Sequence, residues 1–201
     1  MFIEVIILSI IVGLIRGGKF TRLIKVDFKR VWILIFAFVF QYFLVFINST
    51  EEIQMMGKLY NYLKQLIILS YILLFIGIFA NIKYRSLWLV LSGTVLNFFA
   101  VVVNHWKIPI LKEGFKLVGL KDMYTMLEGG NLPLYTAISD ATKYPVLGKI
   151  IAISKPYPFP NIISIGDLLM CFGLYTLIQE IMLSEGAQEK STLRFSSSNW
   201  R

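Results

Sequence analysis

Apolar residues fall in long, nearly unbroken blocks along this chain, and short charged stretches separate them. A helix that is apolar on every side is buried in a large core or in a membrane. Crossing a bilayer takes about 20 mostly apolar residues, with a range of roughly 17 to 25. Five blocks approach that length: Phe2 to Ile15, Val31 to Ile47, Leu66 to Ile82, Ser86 to Val103 and Ile162 to Leu183. The first is short and carries Glu4, and the third has an earlier alternative start near Tyr60. Only Lys83, Tyr84 and Arg85 join the third block to the fourth, which predicts a tight antiparallel hairpin. The pattern predicts an all-α, polytopic membrane bundle of about five transmembrane helices. It would form one domain over residues 1–183, followed by a polar tail, 184–201.

The blocks are interrupted once at length, by the segment 104–161. Within it, Lys112 to Glu128 carries Phe115, Val118, Met123, Met126 and Leu127 among charges, which predicts an amphipathic helix lying on the membrane surface. Gly129 and Gly130 stop it, and a weakly apolar stretch, Val146 to Ile153, follows. Pro156, Pro158 and Pro160 then alternate with aromatic residues, which favours a stiff, extended entry into the last block. Connections this long are usually functional or disordered, and the aromatic content argues against disorder.

Composition strengthens the membrane reading. The 201 residues are 57% hydrophobic and 16% charged, and mean hydropathy is +0.70. The net charge of +8 could suggest nucleic acid, but the basic residues flank apolar blocks and so read as orientation signals and contacts to anionic lipid at the cytoplasmic face. Arg16, Lys19, Arg22, Lys25, Lys29, Arg30, Lys83, Arg85, Lys190, Arg194 and Arg201 are eleven of the twenty basic residues, and all fall on one side of the arrangement. The positive-inside rule then places the N-terminus outside and the C-terminus in the cytoplasm of a multi-pass cell-membrane protein. The opening block has no basic region before it and no small-residue cleavage site after it, so it reads as a retained span. Gly17 and Gly18 end that span. Asn48-Ser49-Thr50 matches a glycosylation tripeptide that arises often by chance. One cysteine and one histidine leave too few ligands for a zinc site, and no cofactor signature is present.

Polar residues inside spans are costly and face the bundle interior or a wet cavity. Asn97 lies six residues before the outer end of span four, and Asp167 lies five after the outer start of span five. At 1.5 Å per residue both sit roughly 8 to 9 Å below the same end. Gln41 in span two and Ser70 and Tyr71 in span three lie in the same half, as does Glu4. The inner half offers Gly13, Gly77, Cys171, Gly173 and Glu180, the last reaching toward the cytoplasmic surface. The expected result is a polar pocket open to the outside, with a dry inner half. The amides and hydroxyls equally suit ordinary interhelical hydrogen bonds, each about 0.6 kcal/mol on average in a membrane. An ionised carboxylate demands more, which singles out Asp167. His105, beside Trp106 and Lys107, reads as an interfacial anchor and lies too shallow to pair with Cys171.

Ser92-Gly93, Leu96-Asn97, Asn104 to Pro109, Leu147-Gly148 and Ser164-Ile165-Gly166-Asp167 together resemble a family of small bacterial multi-span membrane proteins known only as a domain of unknown function. The family pattern runs from a Gly-x-x-x-Asn span into Asn-Gly-Gly-Arg-Met-Pro, then Leu-Gly-Asp, then Ser-Ile-Gly-Asp at the start of the last span. This chain has His105-Trp106 at the glycine pair and Lys149 at the Leu-Gly-Asp acid. The resemblance extends to about Met182 and implies no activity. Three functions fit the residues. The first is binding or transport of a small polar solute, cation or lipid headgroup by Asn97, Asp167, Gln41, Asn104, Lys107 and Ser164. The second is a membrane-embedded enzyme acting on a lipid or peptide, with Asp167 as acid or base and His105 or Lys107 assisting. The third is a structural or assembly subunit of a membrane complex. Oligomeric state is left open.

Overall fold

The structure, a computed structural model, describes residues 1–26, 29, 31–48 and 57–184. Ser49 and Thr50 of the glycosylation tripeptide, Glu51 and Glu52 of the second loop, and the tail from residue 185 onward with Trp200 lie outside these residues.

The described chain is mostly helical. Its α-helices are α1 (Phe2–Ile15), α2 (Phe20–Lys25), α3 (Val31–Asn48), α4 (Gly57–Phe79), α5 (Leu87–Val103), α6 (Lys112–Leu117), α7 (Lys121–Glu128) and α8 (Ile165–Leu183). Four short strands accompany them: β1 (Ile108–Ile110), β2 (Tyr135–Ala137), β3 (Ile151–Ile153) and β4 (Asn161–Ile163). The five apolar blocks thus become α1, α3, α4, α5 and α8, and the turn after α1 passes through Gly17 at φ +81°. Among the described residues, two helices suffice by length and composition to cross a membrane, within Tyr62–Phe79 and Ile165–Leu183. The other apolar segments, Phe2–Ile15, Trp32–Gln41 and Leu87–Val103, fall short of that measure. Five full-length spans are therefore more than these helices establish.

Helices α5 and α8 run antiparallel and make the most extensive pairing, α1 lies against α8, and α3 packs on α4. One core joins Ala37, Leu44, Leu63, Ile67, Tyr71 and Leu74 of α3 and α4 to Val101 and Leu134. A second joins Ile78, Leu87, Val90, Met170, Leu177 and Ile181.

The segment after α5 corrects the expectation of an all-α protein with one surface helix. Gly119, at φ +80°, breaks Lys112 to Glu128 into α6 and α7. Its apolar side does not face outward. Met123, Met126 and Leu127 pack against a third core of Ile110, Phe115, Val118, Leu132, Tyr135 and Ile162. Once that small core forms, its main-chain groups need partners, and strands supply them: β1 pairs parallel with β2, and β3 antiparallel with β4. Three-residue strands are too short for an alternating pattern to show in sequence. The proline segment also turns where extension was expected, since the Tyr157 N–H donates to the Ser154 carbonyl at 3.1 Å. The chain extends again only from Asn161, as β4.

Candidate functional site

The site begins with a helix start. Ser164 is the N-cap of α8, and Asp167 occupies the third helical position. The Ser164 hydroxyl accepts from the Asp167 N–H at 2.9 Å, and Asp167 Oδ2 accepts from the Ser164 N–H at 3.1 Å. This reciprocal capping box satisfies two main-chain donors that a helix start otherwise leaves open. It also puts the carboxylate at the favourable, positive end of the helix dipole.

Helix α5 supplies the next partner. Asn97 Nδ2 donates to Asp167 Oδ1 at 2.8 Å, and the Ser164 hydroxyl donates to Asn97 Oδ1 at 2.7 Å. The contact depends on two glycines. A Cβ on Gly166 would lie 2.2 Å from Asn97 Oδ1, and one on Gly93 would lie 2.4 Å from the Gly166 carbonyl oxygen. The absence of both Cβ atoms lets α5 and α8 approach closely enough for the amide to reach the carboxylate.

The third partner comes from the long connection. The Lys149 N–H donates to the Pro109 carbonyl at 2.8 Å, and the Leu111 N–H donates to the Lys149 carbonyl at 2.9 Å. Residue 149 is thus bridged beside β1 at Ile110. Held there, its Nζ donates to Asp167 Oδ2 at 2.8 Å and to the Ile162 carbonyl at 3.5 Å. Asp167 and Ser164 are buried. The connection folds back over this end of the helices as a roof.

Beneath the roof lies a cavity of about 150 Å³. Asn97, Lys149, Ser164, Asp167, Gln41 and Thr94 give its lining polar groups. Phe38, Leu44, Ile67, Leu74, Val101 and Met170 give it hydrocarbon. Tyr135, in the roof, also lines it, and burial pushes that phenol above its ordinary pKa, with Lys149 pulling against the shift and Asp167 adding to it.

The structure brings together four of the six residues singled out from sequence: Asn97, Asp167, Gln41 and Ser164. It does not bring Asn104 or Lys107 to the cavity lining. Asn104 is a loop clamp: its Nδ2 donates to the Ala100 and Lys143 carbonyls at 2.8 and 2.9 Å, and its Oδ1 accepts from the Lys143 N–H at 2.9 Å. Lys107 is exposed. His105 and Trp106 take φ of +57° and +66°, a left-handed conformation natural to glycine. Trp106 meets Phe98 edge-on at 6.2 Å, while His105 stays exposed. Among the described residues no three of His, Cys, Asp and Glu converge as a metal site would need.

Sequence reasoning missed Lys149 as a partner. Its side chain reaches Asp167 only because the roof closes. It also missed the capping box, whose signal was legible: a serine three residues before an acid, ahead of an apolar run.

A sequence from Thermotoga maritima described as an uncharacterized protein is 23% identical over 175 residues, covering 87% of this chain and 88% of its own. No solved structure matches the fold. The model of the DUF5317 family, a family of unknown function, matches residues 25–179, and with most of its length so covered the chain belongs to that family.

Proposed function

We propose that this protein is a cell-membrane protein that binds or transports a small polar solute or lipid headgroup in the cavity between α3, α4, α5, α8 and the roof. The observation that carries the reading is the cavity's make-up. A polar group of four side chains, Asn97, Asp167, Ser164 and Lys149, meets hydrocarbon walls in one space of about 150 Å³. An apolar cavity of that size takes a molecule such as benzene, so a headgroup-sized ligand fits and a whole lipid does not.

In this reading all five apolar helices cross the bilayer, with the N-terminus outside, the C-terminus cytoplasmic and the roof external. Its support is the outward-facing hydrocarbon on each: Ile7 of α1, Ile35 of α3, Ile72 of α4, Trp88 of α5 and Phe172 of α8 are all exposed. A single monomer rarely exposes so continuous an apolar surface to water. The basic residues from Arg16 to Lys29, with Lys83 and Arg85, would then meet anionic lipid at the inner face. A cysteine at exposed position 143 tests the orientation: labelling from outside is expected, and labelling from inside alone inverts it.

One observation favours an enzyme instead. Lys149 is a second titratable group in hydrogen-bond reach of Asp167, the requirement that His105 and Lys107 were expected to meet. The capping box and the Asn97 bond fit a purely structural role equally well. Ala100→Leu separates these readings, since Ala100 lines the cavity and is none of its four polar residues. Protein extracted from membranes is expected to release a small molecule on denaturation, and the Leu variant to release less. Equal release, or none from either, defeats the binding reading.

A further inference from the structure

The structure points to the charge class of the ligand: we infer that the cavity takes a small amphiphile with zero net charge, a hydrogen-bonding head and a short apolar part. This rests on the binding reading above and deepens it. Among the described residues, the charged side chains lining the cavity are Lys149 and Asp167, already paired at 2.8 Å. Met1 also lines it, and its nitrogen is paired with the carboxylate of Glu4, a residue outside the lining. The phenols of Tyr71 and Tyr135 are neutral at physiological pH. Among the described residues, the lining taken with the carboxylate paired to Met1 therefore sums to zero.

A ligand ion entering this space meets no unmatched counter-charge. It either stays uncompensated against hydrocarbon or displaces one partner of the Lys149–Asp167 pair. Each course leaves a charge stranded in a low-dielectric site, which is strongly unfavourable. A neutral head pays neither cost. Asn97, Thr94 and Gln41 offer amide and hydroxyl groups to it, and Phe38, Leu44 and Leu74 offer hydrocarbon to the remainder. This argument excludes the cation that the isolated carboxylate suggested from sequence.

The test uses three probes of one skeleton: butyramide, butyrate and butylammonium, each titrated into the full chain in lipid nanodiscs and read by thermal shift. Butyramide is expected to bind at least about tenfold more tightly than either ion. Butyrate or butylammonium binding as well as or better than butyramide overturns the inference and leaves the cavity reading standing. Binding of none of the three, together with equal small-molecule release by wild type and Ala100→Leu, overturns the cavity reading itself. Two variants then switch the sign of the wall. Lys149→Met should move the preference to butylammonium, and Asp167→Asn to butyrate. Folded variants that keep the wild-type order overturn the inference. If neither variant folds, the wild-type order of the three probes decides alone.

Discussion

The antiparallel pair α5–α8 has two polar ends that look alike in composition and are built differently. Each end sets a carboxylate at the start of a helix. At the roofed end, Asp167 caps its own helix and also receives Asn97 and Lys149, so three bonds, Asn97 to Asp167, Lys149 to Asp167 and Ser164 to Asn97, run between side chains, and the group borders a cavity. At the other end, Glu180 of α8 caps its neighbour. It accepts from the Ser86 hydroxyl at 2.6 Å, the Ser86 N–H at 3.2 Å and the Arg85 N–H at 3.4 Å. Gln179 Nε2 donates to the Ser9 carbonyl at 2.6 Å, and Arg22 Nη1 donates to the Met182 carbonyl at 2.8 Å. There most of the hydrogen bonds go to main-chain groups, at the start of α5, within α1 and at the end of α8. The second end holds α1, α5 and α8 together. The first holds a roof over a space. This end, read from sequence as the drier one with few polar groups, is held by polar contacts in the fold.

Glycine substitution should break this comparison most sharply. At Gly166 a Cβ meets Asn97 at 2.2 Å, within an amide fixed by two hydrogen bonds. At Gly13 the nearest atom is Met182 Sδ at 2.6 Å, the far part of a flexible side chain. Gly166→Ala is expected to cost about 3 kcal/mol, at the upper end of overpacking, and Gly13→Ala about 1 kcal/mol. Thermal unfolding in detergent ranks them. An equal loss at both positions would show that the two ends are packed alike.

Removing charges gives the next effect. Lys149→Met leaves Asp167 without its cation in a mostly buried position and should cost about 2–3 kcal/mol, less than a fully buried pair because Lys149 is only partly buried. Glu180→Gln keeps an acceptor at the start of α5 and loses only the charge, for about 0.5–1 kcal/mol. The double variant Lys149→Met/Asp167→Asn should recover at least half of the Lys149→Met loss, because no charge is then stranded. Simple additivity in that cycle would show that the lysine contributes packing and not compensation.

How far the sequence foretold this follows from the same contrast. The depth of Asn97 and Asp167 could be counted along two apolar helices, and both were set at one level; in the structure they bond at 2.8 Å. Helix periodicity carries such information over long distances. Lys149 could not be found that way. Its place depends on main-chain bonds to Pro109 and Leu111, between segments some forty residues apart with no shared pattern. Asn104 drew attention as a polar residue at a span's mouth, and its use as a clamp on Lys143 likewise depended on how the connection folds. Glu180 reads from sequence as reaching toward the cytoplasmic surface and Gln179 gives no signal, because polar residues near a span's end are ordinarily assigned to water. Their partners in α1 and at the start of α5 appear only when three helices are assembled.

The smallest expected effect comes from a second lysine–carboxylate pair, Lys112 with Glu128 on the surface of α6 and α7. Its chemistry matches that of Lys149 and Asp167, but water reaches it freely. The hydrogen bond from Lys112 holds Glu128 below its usual pKa, and that bond to Glu128 in turn raises Lys112. A lowered acid contributes stability above its unfolded pKa and loses it as pH falls through the folded value. A raised lysine contributes below its unfolded pKa and loses it as pH rises through the folded value. Both contributions are thus present at neutral pH and fade at the acidic and alkaline extremes. Solvent and salt screen such exposed pairs almost completely. Glu128→Gln is therefore expected to leave the neutral-pH unfolding midpoint unchanged and to be indifferent to added salt, where Lys149→Met is not. A comparable loss from the two substitutions would mean that the roof is held by its surface as much as by the buried pair, and the distinction between the two kinds of polar contact would fail.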